Sequence, residues 1–172
     1  MGKRIACVIT DEFEDVEYEK PVAAYKEEGH EIVVIGFEKG KKVKGKQGDV
    51  ELTVDLGIGE AKADDFDALF IPGGNSPDQL RADDRFVKFA KKFMDDKKPV
   101  FAICHGPQLL ITARALEGRD ATGYKSIQVD IDYAKANLHD EEVVVCQNQL
   151  VTSRQPDDIP AFNRESLKLL AL

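Results

Sequence analysis

The run Pro99-Val100-Phe101-Ala102-Ile103 passes through Cys104-His105-Gly106 straight into Pro107-Gln108-Leu109-Leu110-Ile111, and this stretch limits the chain to few folds. An unbroken apolar run of that length marks a strand buried on both faces, which is found where helices cover both sides of a parallel sheet. The residues after Gly106 read as a helix with proline in its first turn. A strand, a one-residue turn and a helix make an elbow. The residue on such a turn stands above the sheet edge in a strained backbone conformation with its side chain exposed. Here that residue is Cys104. A free cysteine is more often a small buried apolar residue, but the turn type and the adjacent His105 point to nucleophilic or redox chemistry.

The rest of the chain repeats the strand-then-helix rhythm. Arg4–Thr10 reads as a first buried strand, and its Cys7 is assigned no chemistry. The loop Asp11–Glu17, DEFEDVE, follows the carboxyl end of that strand, where open α/β sheets place their ligand sites. Its five carboxylates are either a solvated helix approach or part of a site. The next helix is expected to have Pro21 near its first turn and to stop at Gly29, followed by a strand over Glu31–Phe37. Residues 39–54 alternate polar and apolar between glycines, which predicts a small hairpin on the sheet's edge. Its lysines read as a solvated face.

Asp67–Ile71 is a third buried strand, and Pro72-Gly73-Gly74 follows it. Paired glycines after a strand let backbone N–H groups point into a cavity. A short helix over Ser76–Arg81 precedes a stronger one capped by Asp83 or Asp84. That helix carries Phe86, Phe89, Ala90, Phe93 and Met94 on one face. After the elbow come short strands near Ala121–Gly123, Val143–Cys146 and Leu150–Ser153, and a helix near Ile127–Asn137. A last helix is capped by Asp157 or Asp158 and has Pro160 in its first turn. The alternation predicts one domain over residues 1–172, a doubly wound, mostly parallel sheet sandwiched by helices.

A net charge of −8, with acids spread throughout, argues against nucleic-acid or membrane partners. No run approaches the roughly 18 apolar residues of a membrane span, and the start passes into a strand pattern without a leader's apolar core. A cytoplasmic protein is therefore expected. Three widely spaced cysteines form neither a disulfide framework nor a metal-ligand pattern, so free thiols and no metal or other cofactor are expected.

DEFEDVE, IPGG, AICHGPQLL and VTSRQPDDIPAFNRE resemble, in order and spacing, the PfpI branch of the DJ-1/PfpI superfamily across nearly the whole chain. The resemblance implies a flavodoxin-like α/β sandwich. It includes intracellular cysteine peptidases, stress proteins, and enzymes described as glyoxalases or deglycases acting on methylglyoxal and its adducts. By the same resemblance Cys104 is the nucleophile, His105 the adjacent catalytic histidine, and Glu14 the carboxyl that contacts the sulfur. Gly73, Gly74 and the His105 amide form the oxyanion-binding group, and Tyr124 lines the pocket.

In peptidase-like members a carboxylate from a neighbouring subunit orients the histidine. The matching residue is Asp78, where those members carry glutamate, and its reach is shorter by about 1.5 Å. Gln47 replaces a histidine common in the hairpin, and Arg114 and Lys135 stand where relatives have glycine. Arg154 and Asp157 are read as tying the last strand to its helix. A homodimer or hexamer is implied.

Three functions compete. The leading one is a cysteine-dependent stress-response enzyme acting on a small-molecule carbonyl or a glycated substrate. The second is a PfpI-type intracellular cysteine peptidase with a peptide substrate. The third is a non-enzymatic redox sensor in which Cys104 is oxidised to a sulfinic acid.

Overall fold

In the computed structural model, which describes residues 2–172, the apolar runs assemble into one seven-stranded sheet. In chain order the elements are β1 (Arg4–Val8), α1 (Asp15–Glu27), β2 (Glu31–Gly36), β3 (Lys42–Lys44), β4 (Glu51–Thr53), β5 (Leu56–Gly57), β6 (Ala68–Ile71), α2 (Ser76–Leu80) and α3 (Asp84–Asp95). They continue with β7 (Val100–Ile103), α4 (Pro107–Thr112), β8 (Asp120–Ala121), α5 (Gln128–Tyr133), β9 (Asn137–Leu138), β10 (Val144–Cys146), β11 (Leu150–Ser153) and α6 (Ile159–Leu170). The main sheet runs β10-β11-β7-β6-β1-β2-β5. Only the β10–β11 pair is antiparallel.

Both faces of the sheet are covered, which is why the central strands read as solid apolar runs rather than as alternation. Every residue of β6 and β7 is buried. On one side Leu69, Ile71, Val100 and Ala102 pack with the Phe86–Met94 stripe of α3, as the helical spacing predicts. On the other, Phe70, Phe101 and Ile103 meet Tyr25 of α1 and Phe162 of α6. The fold is the expected doubly wound sandwich.

Several elements depart from the sequence reading. Helix α1 begins at Asp15, so Pro21 lies in its interior rather than near its first turn. A proline there cannot donate to the carbonyl four residues earlier, which belongs to Glu17. The β3–β4 hairpin makes its own two-stranded sheet, and the edge of the main sheet is β5 instead. The hairpin leans over the acidic loop, where Glu12 N–H donates to the Lys44 carbonyl and Lys46 N–H to the Phe13 carbonyl, both at 2.8 Å.

The Asp15 carboxylate, buried, clips the hairpin tip by accepting the amides of Gln47 at 2.7 Å and of Asp49 and Val50 at 2.9 Å. The helix expected over Ile127–Asn137 is confined to α5, a 3₁₀ turn at Lys125–Ile127 leads into it, and Asn137 pairs with Asp120 in a small parallel β8–β9 sheet. Asp158, not Asp157, ties β11 to α6. Its carboxylate accepts Arg154 N at 2.9 Å and the Arg154 guanidinium at 3.0 and 3.1 Å.

Candidate active site

The strained turn forms as the sequence predicts, but the Cys104 side chain is buried rather than exposed, because the Glu17 carboxyl, the glycine turn and His105 close over it. Cys104 has φ 62°, a left-handed conformation that an L-residue holds only when its surroundings impose it. Its N–H donates to the Ser153 carbonyl at 2.9 Å and its carbonyl accepts Tyr124 N–H at 2.8 Å. Gly106 N–H then turns back to the Ile103 carbonyl at 2.8 Å, and α4 starts one residue later. The strand, the next strand and the following loop thus hold the turn from three sides.

Glu17 is the carboxyl that reaches the sulfur, and the assignment of Glu14 to that role is corrected. Glu17 is fully buried in the first turn of α1. Its Oε1 accepts Gly73 N–H at 3.1 Å, its Oε2 is buried with no hydrogen-bond partner, and the carboxyl stands beside the Cys104 thiol, whose protonation it shifts. Glu14 sits at the N-cap of α1 and turns outward, where its Oε1 accepts Gln47 Nε2 at 3.3 Å. The reason is helical register. Glu17 shares the sheet-facing stripe with Pro21 and Tyr25, four and eight residues on. That spacing was the signal in the sequence that could have found it. In the sheet β6 lies between β1 and β7. The loop after β6 fills that gap, and Glu14 N–H meets the Gly73 carbonyl at 3.3 Å.

The two glycines divide the work expected of them jointly. Gly73 gives its amide to Glu17, so it positions the acid rather than an oxyanion. A Cβ on Gly73 would lie 2.4 Å from Glu17 Oε1 and 2.8 Å from Cys104 Cβ, so no other residue fits between acid and nucleophile. The amides facing the sulfur are those of Gly74 and His105. Gly74 has φ 76° and bridges to Phe13, which joins the IPGG turn to the acidic loop.

The electrostatics follow from this packing. Burial raises the Glu17 carboxyl from 4.5 to about 8; the Cys104 bond and the Gly73 amide oppose the rise, and the Glu14 charge adds to it. Burial also pushes the Cys104 thiol up, and an ionised Glu17 pushes it further, whereas the His105 and Gly74 amides pull it down. Carboxyl and thiol therefore compete for one proton. Below about pH 8 Glu17 keeps its proton and can donate it toward the sulfur, and the two amides that face the sulfur pull the thiol back toward its ionised form.

His105 Nδ1 lies 3.4 Å from Cys104 Sγ. Its ring stacks on Tyr124, with centroids 4.8 Å apart and planes 28° from parallel. Tyr124, 38 % exposed, therefore walls the outer side of the site. Burial lowers the His105 pKa and the Lys46 ammonium lowers it further, while Asp78 works in the opposite direction. Asp78 is exposed on α2 and makes no hydrogen bond to His105 within the chain. Two residues that the sequence reading did not place at the site stand there. They are Lys46 on the hairpin, and Ser126, whose Oγ is 3.5 Å from His105 Nε2. Cys7 and Cys146 are buried free thiols away from this cluster, and Cys146 Sγ accepts Asp120 N–H at 3.3 Å.

The chain is similar to known proteins over nearly its whole length. The chain is 70 % identical over 170 residues to General stress protein 18 of Bacillus subtilis, with 99 % of each chain covered. It is 54 % identical to Protein/nucleic acid deglycase 2 of Escherichia coli, again with 99 % of each covered. A crystal structure of a two-domain protein from Anabaena variabilis, containing DJ-1/ThiJ/PfpI-like and ferritin-like domains, superimposes with a TM-score of 0.95 at 40 % identity. That match covers 98 % of this chain and 48 % of the Anabaena chain. No helix among the described residues is long and apolar enough to cross a membrane. Residues 3–169 match the DJ-1/PfpI family model, and with an elbow cysteine, a buried acid and a glycine turn in one cluster, the chain belongs to the DJ-1/PfpI family.

Proposed function

We propose that this protein is a cysteine-dependent enzyme acting on reactive carbonyl compounds such as methylglyoxal, or on their adducts. The observation that carries the reading is the clustering of Glu17, the Gly74 and His105 amides and His105 Nδ1 around the strained Cys104. Attack of the thiolate on an aldehyde carbon forms a carbon–sulfur bond and leaves charge on the carbonyl oxygen. The Gly74 and His105 N–H groups face the place where that oxygen develops, and Glu17 holds the proton that neutralises it as a hemithioacetal. His105, beside the sulfur, then moves a proton from the former aldehyde carbon to the adjacent carbonyl carbon. Water releases the resulting thioester as a 2-hydroxy acid and restores the thiolate, so the sum is a 2-oxoaldehyde plus water to a 2-hydroxy acid: the aldehyde carbon is oxidised, the adjacent ketone carbon is reduced, and there is no net redox change. The deglycase name of one relative supports the adduct part of this substrate class.

Cleavage of peptides is less well served within one chain, because among the described residues no carboxylate contacts His105 to stabilise an imidazolium. The test is side-by-side turnover of methylglyoxal and an unstructured peptide in thiol-free and Tris-free buffer by the wild type, Cys104→Ser and Glu17→Leu. Methylglyoxal turnover lost in both variants is the expected result. Peptide cleavage without carbonyl turnover, or carbonyl turnover retained in Cys104→Ser, overturns the reading.

A further inference from the structure

We propose that Ser126 is the positioning residue for His105, so that a Cys104–His105–Ser126 proton relay is complete within a single chain. The inference rests on the carbonyl-enzyme reading above, and it identifies the group that orients the histidine.

The geometry is a line of three side chains. Cys104 Sγ lies 3.4 Å from His105 Nδ1, and His105 Nε2 lies 3.5 Å from Ser126 Oγ. The second separation is at the outer limit for a hydrogen bond, as is common for catalytic contacts before substrate closes the site. The rest of the surroundings hold both ends in place. Tyr124 stacks on the imidazole and gives its N–H to the Cys104 carbonyl at 2.8 Å. Ser126 follows two residues later in the 3₁₀ turn Lys125–Ile127. Ile127 N–H closes that turn on the Tyr124 carbonyl at 2.9 Å. Gln128 Nε2 braces it from behind, on the Gly123 carbonyl at 3.2 Å and Asp140 at 3.1 Å. The segment that carries Ser126 is therefore pinned to the same elbow that carries the nucleophile.

The chemistry explains why a hydroxyl suits this place. A carboxylate only accepts, so it fixes the Nε2–H tautomer and favours an imidazolium. A serine hydroxyl donates or accepts, so Nε2 can carry its proton or not. When Nδ1, facing the sulfur, takes the proton from carbon, Nε2 passes its own proton to Ser126 Oγ as the hydroxyl releases its proton to water, and the ring stays neutral; the return step runs in reverse. Ser126 is exposed, so its own proton exchanges with water. The charged groups bearing on His105 from the other elements are Lys46 on the hairpin and Asp78 on α2, and both are exposed. Neither makes a hydrogen bond to the ring within the chain.

The experiment uses the full chain and two readouts. ¹⁵N chemical shifts of the His105 ring report the tautomer directly, and the pH profile of kcat and KM for methylglyoxal reports its use. In Ser126→Ala the shifts should move toward fast averaging of the two tautomers, and kcat should fall roughly tenfold with KM little changed. Ser126→Thr should restore both. Ring shifts in Ser126→Ala identical to wild type, or a threonine variant that behaves like alanine, overturn the proposal. So does a result in which Asp78→Asn, rather than Ser126→Ala, moves the ring shifts. The NMR readout needs no turnover. If methylglyoxal is not a substrate the enzyme reading fails, while the relay is still tested.

Discussion

Glu17 accepts the Gly73 amide at 3.1 Å, and that one bond fixes which carboxyl of the acidic stretch stands beside Cys104. Replacing the acid with leucine removes the donor to the thiolate, a charge-assisted bond worth roughly 1.5 to 3 kcal/mol. The Cys104 thiol should titrate about one to two units higher in Glu17→Leu, at 1.36 kcal/mol per unit. Glu14→Gln should move it far less, since Glu14 faces Gln47 and solvent. Thiolate absorbance near 240 nm against pH compares the three proteins. An unchanged curve in Glu17→Leu contradicts the assignment.

The same carboxyl should leave a signature in stability. Its folded-state pKa lies at about 8 against an ordinary 4.5. The folded protein thus holds a proton that the unfolded chain has already lost. Its contribution to stability is fully present below pH 4.5 and is lost as pH rises toward 8. Thermal melts of the wild type should show Tm falling across that window. Glu17→Gln, which keeps the shape without the titration, should flatten the curve.

Arg114 and Lys135, just past the ends of α4 and α5, have φ 56° and 68°. A side chain in that conformation costs roughly 1 kcal/mol where glycine costs none. Arg114→Gly and Lys135→Gly should each raise Tm by about 2 to 4 °C. A fall in either melt shows that its side chain makes a compensating contact.

Lys46 contributes a positive charge that holds the His105 pKa down. Removing the charge in Lys46→Met should raise the imidazole titration seen by NMR, and Lys46→Glu should raise it further. Added salt should shrink the difference between the three proteins, because the lysine is exposed.

Asp15 gathers three amides of the hairpin tip. Burial alone would raise its pKa, but the Gln47, Val50 and Asp49 amides outweigh it and hold the carboxylate below its usual range. Asp15→Ala should cost about 3 kcal/mol or more, and amide exchange at Gln47, Asp49 and Val50 should accelerate far beyond that of the central strands. In the wild type this stabilisation is present above the ordinary carboxylate pKa of 3.8 and is lost as pH falls through the lower folded-state value.

The sheet and the elbow were legible because burial on two faces leaves an unmistakable pattern. Val100–Ile103 could be nothing but a covered strand, and a cysteine between it and Pro107 could only sit on a tight turn. The Phe86–Met94 stripe likewise announced its own packing. The acid was misplaced because five carboxylates in seven residues look alike until the first residue of α1 is known. Glu14 and Glu17 stand three positions apart, so they fall on nearly the same side of a helix, and only the helix start, which leaves Glu14 at the N-cap and Glu17 inside the first turn, tells them apart. Lys46 and Ser126 were out of reach for a different reason. They arrive at Cys104 through a hairpin and a 3₁₀ turn that are distant in sequence, and neither residue type carries a spacing signature.

The clip that Asp15 forms has a bearing on how such a site can diversify. Asp15 and Glu17 belong to one turn of α1; the first secures the hairpin by its backbone, and the second serves the nucleophile. Because the grip on the hairpin is on main-chain amides, the side chains at positions 46 and 47 are free to be exchanged without loosening it. The joint between the interior and the hairpin tip is therefore held independently of the side chains that the tip presents to the site.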